Sequence, residues 1–216
     1  MRRRTLLGGL ACYPVIASAQ PVSGSPDLFR YAAGRLPPEW LTSMRTGSGP
    51  PGSWSVVEDH SASGGKAIEQ SDPDATEYRF PLVVFQPLLA MDVDASVRFK
   101  AMSGKSDRAG GLAVRLMDEN NYYVVRANAL EDNVNLYRVV KGRRQEIKGA
   151  SARVTSGEWH LLALRARGPS LTVSFGGKML FTADDRTFPS PGRVALWTKA
   201  DSVTRFDDLR IVSLLT

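Results

Sequence analysis

Apolar residues recur at every second position in a series of short runs, and each run ends in a cluster of Gly, Pro, Asn, Asp or Ser. Ala95-Ser96-Val97-Arg98-Phe99-Lys100 alternates with period two, the pattern of a half-exposed strand. From Gly110 to Val140, three runs rich in Val, Leu and Tyr are separated by Asp118-Glu119-Asn120-Asn121 and Leu130-Glu131-Asp132-Asn133. Both are turn compositions, which predicts an antiparallel meander. Arg143 to Lys148 is placed to pair back on it across Lys141-Gly142.

A second meander is predicted from Trp159 to Phe181. Trp159 to Arg167 turns at Gly168-Pro169, and Leu171 to Phe175 turns at Gly176-Gly177 into Lys178 to Phe181. Strand, Gly-Gly, strand is a specific hairpin signature. Lys66 to Gln70 and Thr76 to Val84 supply earlier strands, and Gly192 to Thr198 and Thr204 to Val212 supply the closing ones. No stretch reads as an amphipathic helix. About a dozen strands with regular turns predict an all-β, two-sheet antiparallel sandwich. Trp54 and Trp159 lie on alternating apolar segments and are expected in its core, while Trp40, in Leu36-Pro37-Pro38-Glu39-Trp40, sits among turn residues.

The first nineteen residues read differently. Arg2-Arg3-Arg4, a short apolar stretch from Thr5 to Ile16, and Ala17-Ser18-Ala19 before Gln20 have the layout of an export signal cleaved after Ala19. Arg3-Arg4-Thr5-Leu6-Leu7 also resembles a twin-arginine signal. The apolar stretch is too short to span a bilayer, which takes about 20 residues. Residues 20–216 are then expected as one periplasmic or secreted domain with an irregular lead-in to about residue 40 and no integral membrane segment. The single cysteine, Cys12, falls inside the leader, where Gly9 stands in place of the large aliphatic that a lipid-anchor signal wants. Without cysteines the exported domain has no disulfides, so its core must suffice.

The formal net charge is +6, but three of those charges leave with the leader. The rest are interspersed, with no basic run longer than Lys141-Gly142-Arg143-Arg144. A nucleic-acid partner, which would want a basic stripe with interleaved aromatics, is not expected.

The order Gly110-Gly111-Leu112-Ala113-Val114-Arg115, Asp118 to Arg126, Trp159-His160, Val173-Ser174-Phe175-Gly176-Gly177-Lys178 and Gly192 to Asp201, closing on Phe206-Asp207-Asp208-Leu209, resembles the concanavalin A-like lectin/glucanase sandwiches. Within them it is similar to exported bacterial laminin-G-like and 3-keto-disaccharide-hydrolase-like domains. The resemblance implies a jelly roll whose concave sheet often holds saccharide, although the same fold also hosts structural and protein-interaction modules.

The carboxylates demanded by glycoside hydrolysis are not apparent. The strand motif Glu-x-Asp-x-Glu of laminarinase-type members is absent, as are the Gln-x-His and Tyr-x-Lys strands of the lyases. Glu131-Asp132 and Asp184-Asp185 fall in turns, and Asp207-Asp208 should point to opposite faces of a strand. The two histidines, His60 and His160, are isolated, and His160 is expected to be a satisfied structural imidazole. No catalytic residue is named. Laminin-G-like relatives often carry a calcium site of loop carbonyls and carboxylates, and Asp118-Glu119-Asn120 and Asp207 are the positions open to a structural calcium.

The positive indication is polar content on strands. Leu112, Val114 and Leu116 share one face, opposite Ala113, Arg115 and Met117. Tyr123, Val125 and Ala127 oppose Tyr122, Val124, Arg126 and Asn128, and Trp197 and Lys199 oppose Val194, Leu196 and Thr198. Sugars are held by planar donors and acceptors and by an aromatic plate. Arg115, Arg126, Asn128, Trp197 and Lys199 supply those parts if their faces coincide, and a core face would not accept the cations. A saccharide-binding module is therefore expected, the alternatives being a glycoside-processing enzyme and a laminin-G-like interaction domain. Without a ligand, the same residues would form a solvent face salt-bridged to Glu131, Asp132 or Asp201.

Overall fold

A computed structural model of the chain describes residues 23–24 and 31–214. The expected leader, with the cleavage site predicted after Ala19, and Cys12 lie outside the described residues. The first half of the chain forms β1 (Ser23–Gly24), β2 (Trp40–Gly47), β3 (Trp54–Glu58), β4 (Lys66–Gln70), β5 (Arg79–Ala90), β6 (Val93–Ser103) and β7 (Ala109–Asp118). The second half forms β8 (Asn121–Asn128), β9 (Asn133–Val140), β10 (Arg143–Ser151), β11 (His160–Arg167), β12 (Ser170–Phe175), β13 (Lys178–Asp184), β14 (Gly192–Trp197) and β15 (Val203–Ser213). Among the described residues there is no helix.

The strands make two antiparallel sheets. One runs β13-β12-β11-β6-β15-β4-β3, with the short β1 also paired to β15, and is called sheet A here. Sheet B runs β10-β9-β8-β7-β14-β5-β2. Both predicted meanders are present, and each turns where its glycines stand: Lys141-Gly142 and Gly176-Gly177 all take positive φ, as tight primed hairpin turns require.

The sandwich core follows from strand parity. Leu112, Val114, Tyr123 and Val125 of sheet B meet Val97, Phe99, Leu162 and Phe206 of sheet A, and all are buried. Trp54 is in this core and Trp40 joins it. His160 is the structural imidazole expected, with Nε2 3.0 Å from the Thr155 carbonyl and its ring stacked on Phe175.

Parity breaks at two points, and both overturn an expectation. Arg115 has φ +48° in a bulge of β7. The bulge sends Leu116 to the outer face of sheet B and turns Arg115 towards the end of the sandwich. Gly192 makes room for it, because a β-carbon there would run into the Arg115 backbone. Asp208 has φ +50° in a bulge of β15, so Asp208 lines the same outer surface of sheet A on which Asp207 holds Arg98. Asp207 and Asp208 do not point to opposite faces. Trp159 is a third correction: it lies partly exposed on the outside of sheet A, against Arg98 and Lys100.

Candidate functional site

The outer face of sheet B carries three of the residues predicted for the site, Arg126, Asn128 and Trp197. Gly111 is opposite Arg126 on one side and Trp197 on the other, and Arg126 is opposite Asn135, which faces Gly149. Residues directly paired across antiparallel strands share a face, so Arg126 and Trp197 stand on one face with a glycine between them. Asn128 is two residues from Arg126 and joins them.

One end of this face is filled by its own aromatics. The twist of the sheet brings diagonal corners together: the Thr46 hydroxyl is 2.7 Å from the Tyr122 hydroxyl and also donates to the Glu119 carbonyl. The Arg144 N–H donates to the Tyr78 hydroxyl at 2.8 Å. Beneath this closure Phe80 stacks on Trp197 with centroids 5.3 Å apart, and the indole N–H of Trp197 donates to Tyr122 at 3.3 Å. The Arg144 guanidinium lies 4.4 Å from the Tyr137 centroid and 4.9 Å from that of Phe80. Burial pushes the Tyr122 hydroxyl far above the ordinary phenol range, even though Thr46 and Trp197 hydrogen-bond to it. Trp197 is 0% exposed, so it is a second core here rather than an open plate.

The other end is a polar network. Arg126, 2% exposed, donates to Glu131 at 2.8 Å and to Asn133 at 2.6 Å, with its guanidinium 5.6 Å from the Tyr137 centroid. The Nδ2 of Asn128 donates to both Asp107 and Glu131, at 2.9 and 2.8 Å. Lys199 ion-pairs with Asp107 and is itself partly exposed. Asp201 holds the loop that presents Asp107, its carboxylate accepting the N–H groups of Lys105, Ser106 and Asp107. The turn after β8 thus folds Glu131 back over a strand guanidinium. A cation on a sheet face can be neutralised by its own turn as well as by solvent or ligand.

The two acids of the network differ. Burial holds the Asp107 carboxyl above its ordinary range despite Lys199. Burial alone would also raise Glu131, but hydrogen bonds from Arg126 and Asn133 outweigh it and take that carboxyl below its usual range. Arg126 Nε is buried without a hydrogen-bond partner, which leaves one donor in the network unspent.

Of the residues predicted for the site, the structure brings together Arg126, Asn128, Trp197 and Lys199, with Trp197 at the closed end. Arg115 is not among them. It is 1% exposed, pairs with Asp92 at 3.2 Å and donates to the carbonyls of Met91, Phe188 and Gly168. It ties the β5–β6 turn to the β11–β12 turn. Of the acids expected to pair with the face, Glu131 does so, whereas Asp132 caps the Val154 N–H. Asp107 was not recognisable in the sequence, since its loop meets the turn after β8 only through tertiary contacts, the Asn128 side chain on Asp107 and the Ala129 N–H on the Arg108 carbonyl.

Among the described residues no group of three or more His, Cys, Asp or Glu side chains converges as a metal site. The Asp207 carboxylate is engaged by the Ser63 and Asp208 N–H groups and by Arg98. Asp118 accepts from the Asn120 N–H and the Asn121 amide.

No family model and no curated protein sequence matches the chain. Solved structures do share its fold. The carbohydrate-binding module CBM66 from Bacillus subtilis superposes with a TM-score of 0.62 at 18% identity, over 80% of this chain and 94% of that one. The mannose- and calcium-bound exoplasmic domain of VIP36 gives 0.58 at 13% identity, over 83% and 84%. Domain 4 of the arabinanase AbnA from Geobacillus stearothermophilus, in complex with arabinotriose, gives 0.53 at 14% identity, over 79% and 82%. The class that these likenesses define is one of fold: an all-β jelly-roll sandwich of two antiparallel sheets.

Proposed function

We propose that this protein is an exported carbohydrate-binding module, and that its glycan contacts lie at the polar end of the outer face of sheet B. The observation that carries the reading is the Arg126–Asn128–Glu131–Asn133 network, with Lys199 beside it. It presents donors and acceptors held rigidly by buried neighbours, which is how a protein matches the fixed geometry of sugar hydroxyls. Three proteins of the same fold support it: one is a carbohydrate-binding module, one is mannose-bound and one is in complex with arabinotriose. Glu131, Asn133 and Lys199 touch the glycan in this reading, and Arg126 and Asn128 orient them. Trp197 and Arg115 have no direct contact. Calorimetric titration of a neutral oligosaccharide panel tests it. Asn133→Ala and Lys199→Ala should each weaken binding severalfold in protein that circular dichroism shows to be folded, and each should melt somewhat lower because a buried charge loses a partner; equal binding by both variants sinks the reading. Export is part of the proposal, and N-terminal sequencing of the mature protein should begin at Gln20.

A second reading, glycoside processing, has one specific observation behind it. Asp107 and Glu131 share the Asn128 amide nitrogen, which keeps their accepting oxygens within about 6 Å. One is held above and the other below the ordinary carboxylate range, the split that an acid and a nucleophile need. Asp107 is 1% exposed beneath Lys199, so a substrate would have to displace that lysine. Turnover of any panel glycoside, lost in Asp107→Asn, would establish this reading over the first.

A further inference from the structure

The outer surface of sheet A carries a groove of about 520 Å³, lined by Ser96, Arg98, Trp159, Leu161, Asp208 and Arg210 together with the Gly176-Gly177 turn. It lies on the opposite side of the sandwich from the sheet B network. From its geometry we infer that it is a second saccharide site, taking one or two units of a neutral sugar, with Trp159 as the stacking plate. This inference stands independently of the sheet B site.

Trp159 is built to be a plate. Arg98 and Lys100 are two residues apart on β6 and project from one face. Their charged groups lie 5.0 and 4.7 Å from the indole centroid, so the ring lies across that strand with one side on the cations. Its other side is turned outward, in keeping with its partial exposure. The indole N–H donates to the Ser61 hydroxyl at 2.9 Å, which also accepts from Lys100. An aromatic ring held on two cations and one hydrogen bond loses little freedom when a ligand stacks on it. A buried-core role would not need these contacts: among the described residues the indole nitrogens of buried Trp40 and Trp54 have no hydrogen-bond partner, and buried Trp197 has a single cation, Arg144, at 5.9 Å and bonds to Tyr122 inside a closed aromatic cluster.

The polar groups of the groove fit hydroxyls. Arg98 uses Nη1 for Ser63 and Asp207. Among the described residues its Nε and Nη2 have no partner, and that edge of a guanidinium presents two parallel donors. Asp208 offers an acceptor beside it and is held by Arg210 Nε and Nη2 at 3.0 and 3.1 Å. A donor fork next to a carboxylate accommodates vicinal hydroxyls, while the plate takes the apolar C–H face of the ring. Charge decides between neutral and acidic sugars. Arg98, Lys100, Arg205 and Arg210 are matched by Asp59, Glu69, Asp207 and Asp208. A ligand carboxylate would find Asp208 in the groove and no uncompensated cation.

Because Trp159 is the one tryptophan of four that is not buried, acrylamide quenching reports on this groove selectively. The full chain would be titrated with cellotriose, xylotriose, mannotriose, maltotriose and kestose, and with trigalacturonate as the acidic comparison. The expected result is saturable protection of fluorescence by at least one neutral sugar, with affinity by calorimetry falling at least about tenfold in Trp159→Ala and severalfold in Asp208→Asn. Melting should be nearly unchanged in Asp208→Asn, and Asn133→Ala should bind as wild type at this site. Three results would overturn the proposal: no protection by any neutral sugar at millimolar concentration, undiminished binding by Trp159→Ala, or protection by trigalacturonate alone. Binding lost in Asn133→Ala and retained in Trp159→Ala would leave the sheet B site standing by itself.

Discussion

Gly111 and Trp197 face each other across β7 and β14, and a β-carbon on Gly111 would lie 2.9 Å from the indole Cε3 and 2.9 Å from the Val125 carbonyl oxygen. The glycine is the bed in which the indole lies. Gly111→Ala must move either a ring locked between Phe80 and Tyr122 or a strand backbone. The expected cost is about 1–3 kcal/mol, as for other overpacked sites, measured as a lower denaturation midpoint at unchanged slope.

The same bed makes Trp197 a structural residue. Trp197→Ala removes a fully buried ring and leaves the Tyr122 hydroxyl without its indole donor, at about 3–5 kcal/mol. Trp159→Ala loses a half-exposed ring and two cation–π contacts, at about 1 kcal/mol. Thermal melts of the two variants side by side should separate them clearly. If they lose equal stability, the assignment of one to a core and the other to a surface is wrong.

Arg115 should matter for folding and be silent for binding. Arg115→Met leaves the Asp92 carboxylate buried with only the Gly168 N–H as partner and strips three carbonyls of their donor. Breaking a buried pair in this way costs about 3–5 kcal/mol. Where the variant remains folded, its glycan affinity should equal that of wild type; a selective loss of affinity at unchanged melting would return Arg115 to the site.

Asp59 gives the protein an acid-sensitive fastening on sheet A. Burial alone would raise its carboxyl, but hydrogen bonds from Lys100, Ser61 and Arg205 outweigh that and hold it well below the ordinary carboxylate value of 3.8. A depressed folded-state value means that the folded protein releases this proton more readily than the unfolded chain. Its contribution is therefore complete above the unfolded value and lost as pH falls towards the folded one. Melting temperature should decline below about pH 4, and Asp59→Asn should melt lower at neutral pH with a shallower decline in acid. A variant whose acid decline is as steep as that of wild type would show that other carboxylates govern it.

Much of the architecture was legible along the chain because it rests on local physics. Period-two alternation, Asn and Asp turns and the Gly176-Gly177 hairpin determine where strands begin and end, and strand parity alone puts Arg126 and Asn128 on one face. Trp54 could be assigned to the core for the same reason. Tertiary structure decided what parity cannot reach. A single residue at positive φ shifts every side chain after it to the other face, and nothing in Arg115 or Asp208 as residue types announces one. Arg115 is permitted its bulge by Gly192, 77 positions later on a neighbouring strand. Trp159 was assigned to the core because its own segment alternates; the two cations that hold it outside lie on β6. Strand order brought Trp197 beside Arg126 through Gly111, and the curl of sheet B closed Thr46 and Tyr122 over the indole. Neighbouring side chains along a strand are set by covalent geometry, whereas the partner across a sheet is set by which strands pair, and that is a property of the whole chain.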